Sequence, residues 1–255
     1  MKITTDWLLQ AKRRGEKIPV LTAYDYPTAR LLDEAQVPVL LVGDSVGMVV
    51  LGFPDTTEVT LEDMEHHVQA VARAKPQALI VADLPIATYD RPEQAVASAR
   101  RLMASGAEAV KLEGGEHRAE AVKAIRAAGI PVMGHLGMLP QRVRVEGGYH
   151  IKGRTEEEKQ KLLAGAAALE QAGVFAIVLE LVVPEVAGEI RRGLKVPTIG
   201  IGAGPDCDGQ VLVFHDLVGG FPWFKPKFAE SRAAIGEEIR RAAAEFCQKI
   251  RTGSP

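Results

Sequence analysis

The stretch Val39-Leu40-Leu41-Val42-Gly43-Asp44-Ser45 changes abruptly from an unbroken apolar run to a glycine, a carboxylate and a hydroxyl. A short apolar run of this kind is typical of a parallel strand that is buried on both faces. Three later apolar runs also end in an acid, at Asp83, Glu113 and Glu180. Because the carboxyl ends of parallel strands meet at the same edge, we expect these four acids to gather at one rim.

Apolar runs and amphipathic helical segments alternate along the chain, and the pattern predicts eight strands, most of them followed by a helix. Two helical segments begin with a capping-box pattern, at Thr60 with Asp63 and at Thr155 with Glu158. Parallel strands joined by right-handed helical crossovers can close into a barrel. We therefore predict an α/β protein, a (β/α)8 TIM barrel forming one domain over residues 1–255, in preference to an open doubly wound sheet.

Three segments depart from the repeating unit. Residues 4–14 predict an extra helix before the first strand, which would close one end of the barrel. Residues 202–209 are fewer than the roughly twelve that a helical crossover needs, so either the seventh unit is degenerate or the eighth strand is misplaced. Residues 228–250 predict a strongly amphipathic helix or helix pair, rich in Arg and Glu.

The charge and composition of the chain exclude several classes of protein. With 31 basic and 33 acidic residues spread along the sequence, the net charge is only −2, and no basic block favours nucleic acid or a membrane surface as a partner. No apolar run approaches the roughly 18 residues that span a bilayer, and no leader is visible. Cys207 and Cys247 match no metal or disulfide motif. We expect a cytoplasmic protein with reduced thiols.

Asp44, Asp83 and Glu113 follow three consecutive strands, so they should be neighbours around the barrel rim. Active sites of such barrels lie at the carboxyl ends of the strands. A set of hard oxygen ligands without cysteine favours Mg²⁺, which keeps several positions for water or substrate. The alternative is that each acid caps the next helix or pairs with a Lys or Arg.

Glu180 is the candidate general base. Counted three strands from Glu113, it is expected to face the metal across the barrel mouth, and its apolar neighbours would raise its pKa toward neutrality. The alternative is that Glu180 caps the helix that opens at Pro184.

Two cationic or titratable residues also point to this rim. Lys111 lies two residues before Glu113, so strand alternation turns it inward, where it needs a carboxylate partner. That partner is expected to be an anionic substrate or Glu113 itself. His135 ends the fifth strand and is placed to donate a hydrogen bond to the substrate, or to serve as a structural histidine. His66 and His67 lack convergent partners and are interpreted as surface or packing residues.

Three glycine-rich or aromatic segments lie near the predicted rim. The run Gly200-Ile201-Gly202-Ala203-Gly204 lacks the spacing and the helix of a dinucleotide fingerprint, which favours a tight turn. The loops at residues 141–154 and 219–228 are interpreted as covers for a flat, anionic cosubstrate or as subunit contacts.

Taken together, these motifs resemble the ketopantoate hydroxymethyltransferase family, within the phosphoenolpyruvate/pyruvate barrel superfamily. The resemblance covers nearly the whole chain. The motifs that carry it are Leu-Thr-Ala-Tyr-Asp25, Leu-Val-Gly-Asp44-Ser45-Val-Gly-Met, Ala-Asp83-Leu-Pro, Val-Lys111-Leu-Glu113-Gly-Gly, Gly-His135-Leu-Gly, Gly-Gly-Tyr149, Leu-Glu180 and Ile-Gly-Ile-Gly-Ala-Gly204.

The resemblance implies transfer of a one-carbon unit from 5,10-methylenetetrahydrofolate to 3-methyl-2-oxobutanoate, giving 2-dehydropantoate for pantothenate synthesis through a Mg²⁺-stabilised enolate. It also implies a large homo-oligomer, a decamer. The resemblance implies that Glu180 is the general base. The remaining implied assignments are Mg²⁺ at Asp44, Asp83 and Glu113, the last directly or through water, and the keto acid at Ser45, Lys111 and both aspartates.

Two other hypotheses remain open at this point. A Mg²⁺-dependent carbon–carbon lyase of the same superfamily would keep the metal and the enolate but would not use folate. A metabolite-binding or scaffold barrel would need the acids only as structural ion pairs.

Overall fold

Eight parallel strands close into a barrel in the order in which they occur along the chain. The computed structural model describes residues 2–253. The strands are β1 (Ile18–Thr22), β2 (Val39–Val42), β3 (Leu79–Asp83), β4 (Ala109–Glu113), β5 (Val132–Gly137), β6 (Ala176–Glu180), β7 (Thr198–Ile201) and β8 (Gly209–Leu212). The predicted TIM barrel is therefore confirmed.

Helices follow most of the strands. They are α1 (Thr5–Arg14), α2 (Tyr26–Glu34), α3 (Leu61–Ala72), α4 (Pro92–Ala104), α5 (Ala119–Ala127), α6 (Val143–Glu146), α7 (Glu156–Ala172), α8 (Pro184–Gly193), α9 (Phe214–Val218) and α10 (Ile235–Thr252). The predicted extra helix at the N-terminus is α1. Its Leu8 and Ala11 are fully buried and belong to the same apolar cluster as Val20, Leu41 and Val81 of the strands, so α1 closes one end of the barrel.

The chain divides into two compact units, Met1–Val211 and Leu212–Pro255. The first contains α1 to α8 and all of the barrel strands except the last residue of β8. The second contains α9 and α10. One domain over residues 1–255 stays a prediction.

Burial explains why the strand sequences read as continuous apolar runs. Every residue of β2, β3 and β4 is buried, because one face packs inside the barrel and the other packs against helices. The acids at their ends are placed by the same parallel pairing. Asp83 of β3 is in register with Lys111 of β4, and Glu113 of β4 is in register with His135 of β5.

The two capping-box predictions have different outcomes. At α3 both reciprocal bonds form between Thr60 and Asp63. At α7 the Thr155 side chain accepts from the N–H of Glu158, but the Glu158 carboxylate accepts from the N–H of Arg154 instead of Thr155. The second pattern therefore caps α7 with one bond of the pair.

The structure tests the predictions for two irregular segments. Residues 202–208 form no helix, so the seventh unit is degenerate and β8 begins one residue before the predicted strand. The predicted helix from Phe228 was wrong at its start, since α10 begins at Ile235. The N–H of Arg232 donates to the Leu217 carbonyl at 2.7 Å, so it is not available to a helix that starts at Phe228.

Candidate active site

The site begins where β2 ends. The N–H of Asp44 donates to Oδ2 of Asp83 at 3.1 Å, which ties the end of β2 to the end of β3. A Cβ atom at Gly43 would stand 2.9 Å from Oγ of Ser45 and 3.5 Å from Oδ2 of Asp83. The glycine in the opening sequence motif therefore allows this close approach.

The structure brings the predicted metal-site acids together with Lys111. Asp44, Asp83, Lys111 and Glu113 are each at most 4% exposed. Lys111 was expected to pair with Glu113 or with an anionic substrate. Its partner within the protein is Asp83 and not Glu113, since Nζ of Lys111 lies 2.6 Å from Oδ1 of Asp83. Because Asp83 and Lys111 are in register on adjacent strands, their side chains stand at the same level of the barrel, whereas Glu113 stands two residues higher.

His135 lies between two of the acids. Its Nδ1 is 3.6 Å from Oε1 of Glu113, and its Nε2 is 3.3 Å from Oε2 of Glu180. Glu180 was expected three strands from Glu113 and across the barrel mouth, but only β5 separates their strands, β4 and β6. Glu180 is thus beside His135 and joins the same cluster.

Ser45 is oriented by a neighbouring strand. Its Oγ is 2.9 Å from the hydroxyl of Tyr24, which follows β1 and is buried. The backbone carbonyl of Tyr24 contacts Nδ1 of His67 at 2.7 Å. His67 therefore supports the wall of the barrel mouth, in agreement with its interpretation as a packing residue.

Gln141 and Tyr89 also belong to the cluster, although sequence patterns did not single them out. Nε2 of Gln141 donates to Oδ2 of Asp44 at 2.8 Å, and its backbone N–H donates to Oε2 of Glu113 at 3.1 Å. The hydroxyl of Tyr89 donates to Oε1 of Gln141. Gln141 begins one of the predicted rim loops, but nothing in its sequence context indicates that it turns inward.

Burial and mutual repulsion dominate the electrostatics of the acids. Burial, and next the charge of Asp83, raises the pKa of Asp44 to about 7, although Lys111 and the Gln141 hydrogen bond oppose the shift. Burial and then Asp44 raise the pKa of Glu113 well above its ordinary value. For Glu180, burial outweighs the attraction of Lys111, so the pKa rises to about 8. This cluster therefore contains more negative charge than Lys111 can neutralise.

The pKa values of Lys111 and His135 shift in opposite directions. Burial would lower the pKa of Lys111, but the charges of Asp83, Glu113 and Asp44 outweigh it and raise the pKa above its ordinary value. Burial and the Lys111 charge lower the pKa of His135 well below its ordinary value. At neutral pH, Lys111 is thus the cation of the cluster and His135 is a neutral imidazole.

The donor set suits a hard cation that retains water. Asp83 Oδ1 and Glu113 Oε1 are buried without a hydrogen-bond partner among residues 2–253, although Lys111 stands against the former. Within the same residues, no three His, Cys, Asp or Glu side chains form a ready-made metal cage. The carboxylate oxygens themselves are donors that suit Mg²⁺, which binds through one or two carboxylates and keeps positions for water and substrate.

The predicted loop at residues 141–154 is tied to the segment after β2. Arg144 pairs with Oδ2 of Asp55 at 2.7 Å and with Oε1 of Glu58 at 2.6 Å. The hydroxyl of Tyr149 lies 3.8 Å from Sδ of Met48, directly after the Asp44-Ser45 motif. Burial and then the charges of Glu180 and Asp44 raise the pKa of Tyr149. The predicted loop at residues 219–228 belongs to the other unit.

Comparisons with known proteins match nearly the whole chain. The profile of the family described as ketopantoate hydroxymethyltransferase matches residues 2–254. A 3-methyl-2-oxobutanoate hydroxymethyltransferase of Ignicoccus hospitalis is 54% identical over 99% of this chain and 96% of its own. The enzyme of the same name from Thermobifida fusca is 53% identical over 99% of this chain and 91% of its own.

Solved structures support the fold. A phosphonopyruvate hydrolase in complex with oxalate and Mg²⁺ matches with a TM-score of 0.67 at 15% identity, over 98% of this chain and 88% of that one. A 2,3-dimethylmalate lyase of the PEP mutase/isocitrate lyase superfamily matches with a TM-score of 0.61 at 19% identity, over 100% of this chain and 90% of that one. No helix within residues 2–253 is long and apolar enough to cross a membrane. From the full-length match, this chain belongs to the ketopantoate hydroxymethyltransferase family.

Proposed function

We propose that this enzyme transfers the one-carbon unit of 5,10-methylenetetrahydrofolate to 3-methyl-2-oxobutanoate and so forms 2-dehydropantoate. Membership of the family supports the overall reaction. The observation that carries the mechanism is the cluster of buried Asp44, Asp83 and Glu113 around one lysine, with the partly buried Glu180 beside His135.

The keto acid binds at the mouth formed by β2, β3 and β4. Asp44 and Asp83, with Glu113 directly or through water, would hold Mg²⁺, which when bound supplies a Lewis acid that polarises the oxo group of the keto acid. Lys111 provides a buried positive charge for an anionic substrate, and Ser45, held by Tyr24, provides a hydroxyl. A lysine buried among acids keeps its charge, so this binding contribution persists at neutral pH.

Glu180 removes the proton from C3 of the keto acid. A carboxylate with a pKa raised to about 8 is a much stronger base than an exposed glutamate, and its affinity for a proton suits a weakly acidic C–H bond. Neutral His135, 3.3 Å away, provides a polar neighbour that orients Glu180 or the substrate without adding charge.

The rest of the reaction balances when one water molecule is counted as a reactant. C3 of the keto acid forms a bond to the methylene carbon carried by folate, while that methylene carbon loses its bonds to the two folate nitrogens. Water supplies the new hydroxyl group, and tetrahydrofolate leaves. The electrophilic carbon belongs to the cosubstrate, whereas the protein positions it.

The test is an assay for 2-dehydropantoate with Mg²⁺ and methylenetetrahydrofolate each omitted in turn. We expect product only when both are present. Cleavage or isomerisation of a keto acid without folate would favour the lyase alternative. Absence of Mg²⁺-dependent keto-acid binding in calorimetry would favour a scaffold protein.

The proposal includes a cytoplasmic location and a large homo-oligomer. Helix α10 supports the second point, since Ile239, Phe246 and Ile250 are each more than 60% exposed on its apolar side. Sedimentation velocity of the full chain tests it, and a monomer at micromolar concentration would contradict it.

A further inference from the structure

We propose that Gln141 is a positioning residue that holds Asp44 and Glu113, two of the proposed metal ligands, by one oxygen each and leaves their other oxygens for the ion. This inference rests on the proposed function, because it assumes that the acids bind Mg²⁺. It assigns a role to a residue that contacts the ligands and not the substrate.

The side-chain amide of Gln141 has a single orientation that satisfies its neighbours. Its two N–H groups donate to Oδ2 of Asp44 at 2.8 Å and to the Leu84 carbonyl at 3.0 Å. Its Oε1 accepts from the Tyr89 hydroxyl. A flipped amide would turn Oε1 toward two acceptors, Oδ2 of Asp44 and the Leu84 carbonyl, and both hydrogen bonds would be lost. The contacts therefore determine which way the amide points.

The backbone of the same residue holds the second acid. The N–H of Gln141 donates to Oε2 of Glu113 at 3.1 Å, and the N–H of Glu113 donates to the Tyr89 hydroxyl at 3.3 Å. Oε1 of Glu113 is buried and has no hydrogen bond to any part of the chain from residue 2 to residue 253. One residue thus links the acids that follow β2 and β4, and Tyr89 closes the network.

The chemistry of an amide suits this position better than that of any charged side chain. Gln141 is only 4% exposed, so a charge there would act strongly on the acids. A Lys or Arg would neutralise Asp44 and compete with a divalent cation, and a Glu would add repulsion. A glutamine donates two hydrogen bonds without a net charge, so it orients the ligands and leaves their charge for the metal.

The test is the affinity for Mn²⁺, a paramagnetic substitute for Mg²⁺, measured by electron paramagnetic resonance titration of the full chain with keto acid present. Gln141→Leu keeps the approximate size and the backbone bond to Glu113 but removes both donors. Loss of a group that orients metal ligands typically weakens metal binding about 10- to 100-fold, and we expect a weakening in this range. Gln160→Leu is the matched control, because Gln160 donates to Glu156 on the exposed surface of α7; its Mn²⁺ affinity should equal that of the wild type.

A kinetic measurement separates positioning from general damage. If Gln141 acts through the metal, raising the Mg²⁺ concentration should restore kcat of Gln141→Leu to within about threefold of the wild type, since the reacting groups are intact. Unchanged Mn²⁺ affinity, or a low kcat that excess Mg²⁺ does not restore, would overturn the inference.

Tyr89→Phe provides the second variant in case Gln141→Leu does not fold. It removes only the hydroxyl that fixes the amide, and we expect Mn²⁺ binding to weaken by about threefold or more. Affinity equal to the wild type would overturn the inference on its own. If the wild type itself binds no Mn²⁺ with the keto acid, the proposed function fails instead.

Discussion

Buried acids at the two ends of the barrel differ in their cationic partners and in the direction of their pKa shifts. At the amino-terminal end, Asp208 is 3% exposed and pairs with Lys12 at 2.8 Å and Arg191 at 2.7 Å. It also accepts from the N–H of Thr198 at 3.0 Å. Burial would raise the pKa of Asp208, but the hydrogen bonds from Lys12 and Arg191 outweigh it and lower the pKa. This acid is fully compensated by the protein.

At the carboxyl-terminal end, four acids share Lys111, and the pKa values of Asp44, Glu113 and Glu180 are raised. Both ends remove carboxylates from water to a similar extent, so burial alone does not distinguish them. The difference lies in the number of cationic partners, because Asp208 has two, whereas the four acids at the other end share Lys111. An uncompensated cluster is unfavourable for the isolated chain, and this supports the proposal that a bound ligand supplies the missing charge.

The largest expected effect is that of Glu180→Gln at the uncompensated end. Positioned general bases typically contribute about 10²- to 10⁴-fold, so we expect exchange of the C3 proton of 3-methyl-2-oxobutanoate with deuterated solvent to slow by about a thousandfold. Proton NMR in the presence of Mg²⁺ measures the rate of this exchange. The exchange rate of the wild type should rise with pH until Glu180 is ionised, at or below about pH 8, since bound Mg²⁺ can only favour the charged form.

Two further measurements define the role of Glu180. Binding of Mg²⁺ and keto acid should persist in Glu180→Gln, because the amide keeps the shape and the metal ligands are untouched. Glu120→Gln, an exposed change on α5, is the control and should exchange at the wild-type rate. Wild-type exchange in Glu180→Gln would remove this residue from the role of base.

The next largest effect is expected at the compensated end. Asp208→Asn leaves Lys12 and Arg191 without their buried partner, and breaking such a pair typically costs about 3–5 kcal/mol. We expect a loss near the lower limit, about 3 kcal/mol, because the Arg191 side chain is 40% exposed and retains access to water. Urea denaturation measures the loss.

Activity per folded molecule should be unchanged in Asp208→Asn, since Asp208 lies at the opposite end of the barrel from Glu180. Glu16→Gln, which removes an exposed pair with Arg14, is the control and should alter stability little. If Asp208→Asn were as stable as the wild type, the distinction between the two ends would fail.

Sequence patterns could place the acids but not their partners. The positions of Asp44, Asp83, Glu113 and Glu180 follow from strand ends alone, because parallel strands in a barrel finish at one rim. The pairing of Lys111 with Asp83 depends on the register between β3 and β4, and register is set by packing around the whole barrel.

Gln141 escaped prediction for a related reason. Its inward orientation depends on the path of the chain after β5, where Pro140–Arg142 form a single 3-10 turn. A short polar segment carries no periodicity from which this path could be derived. The short segment after β7 could be recognised as irregular from its length, but the sequence left open whether the seventh unit was degenerate or the eighth strand misplaced.

The smallest expected effect concerns the stability of the metal-free protein. The folded state holds Asp44 with a pKa of about 7 and Glu180 with a pKa of about 8, whereas unfolded carboxyls titrate near pH 4. Between about pH 4.5 and pH 8 the folded state therefore binds more protons than the unfolded state, so stability falls as pH rises. Urea denaturation in EDTA at a series of pH values measures this decrease.

Asp44→Asn sharpens this expectation, because it removes one acid and part of the repulsion that raises the pKa of Glu113. Its stability should depend less steeply on pH and should exceed that of the metal-free wild type at pH 8 by about 1 kcal/mol. Saturating Mg²⁺ and keto acid should stabilise the wild type at pH 8 but not the variant, since a ligand stabilises only the state that binds it. Equal slopes in wild type and variant would mean that the acids at this rim are balanced within the protein, as Asp208 is, and the contrast between the two ends would be lost.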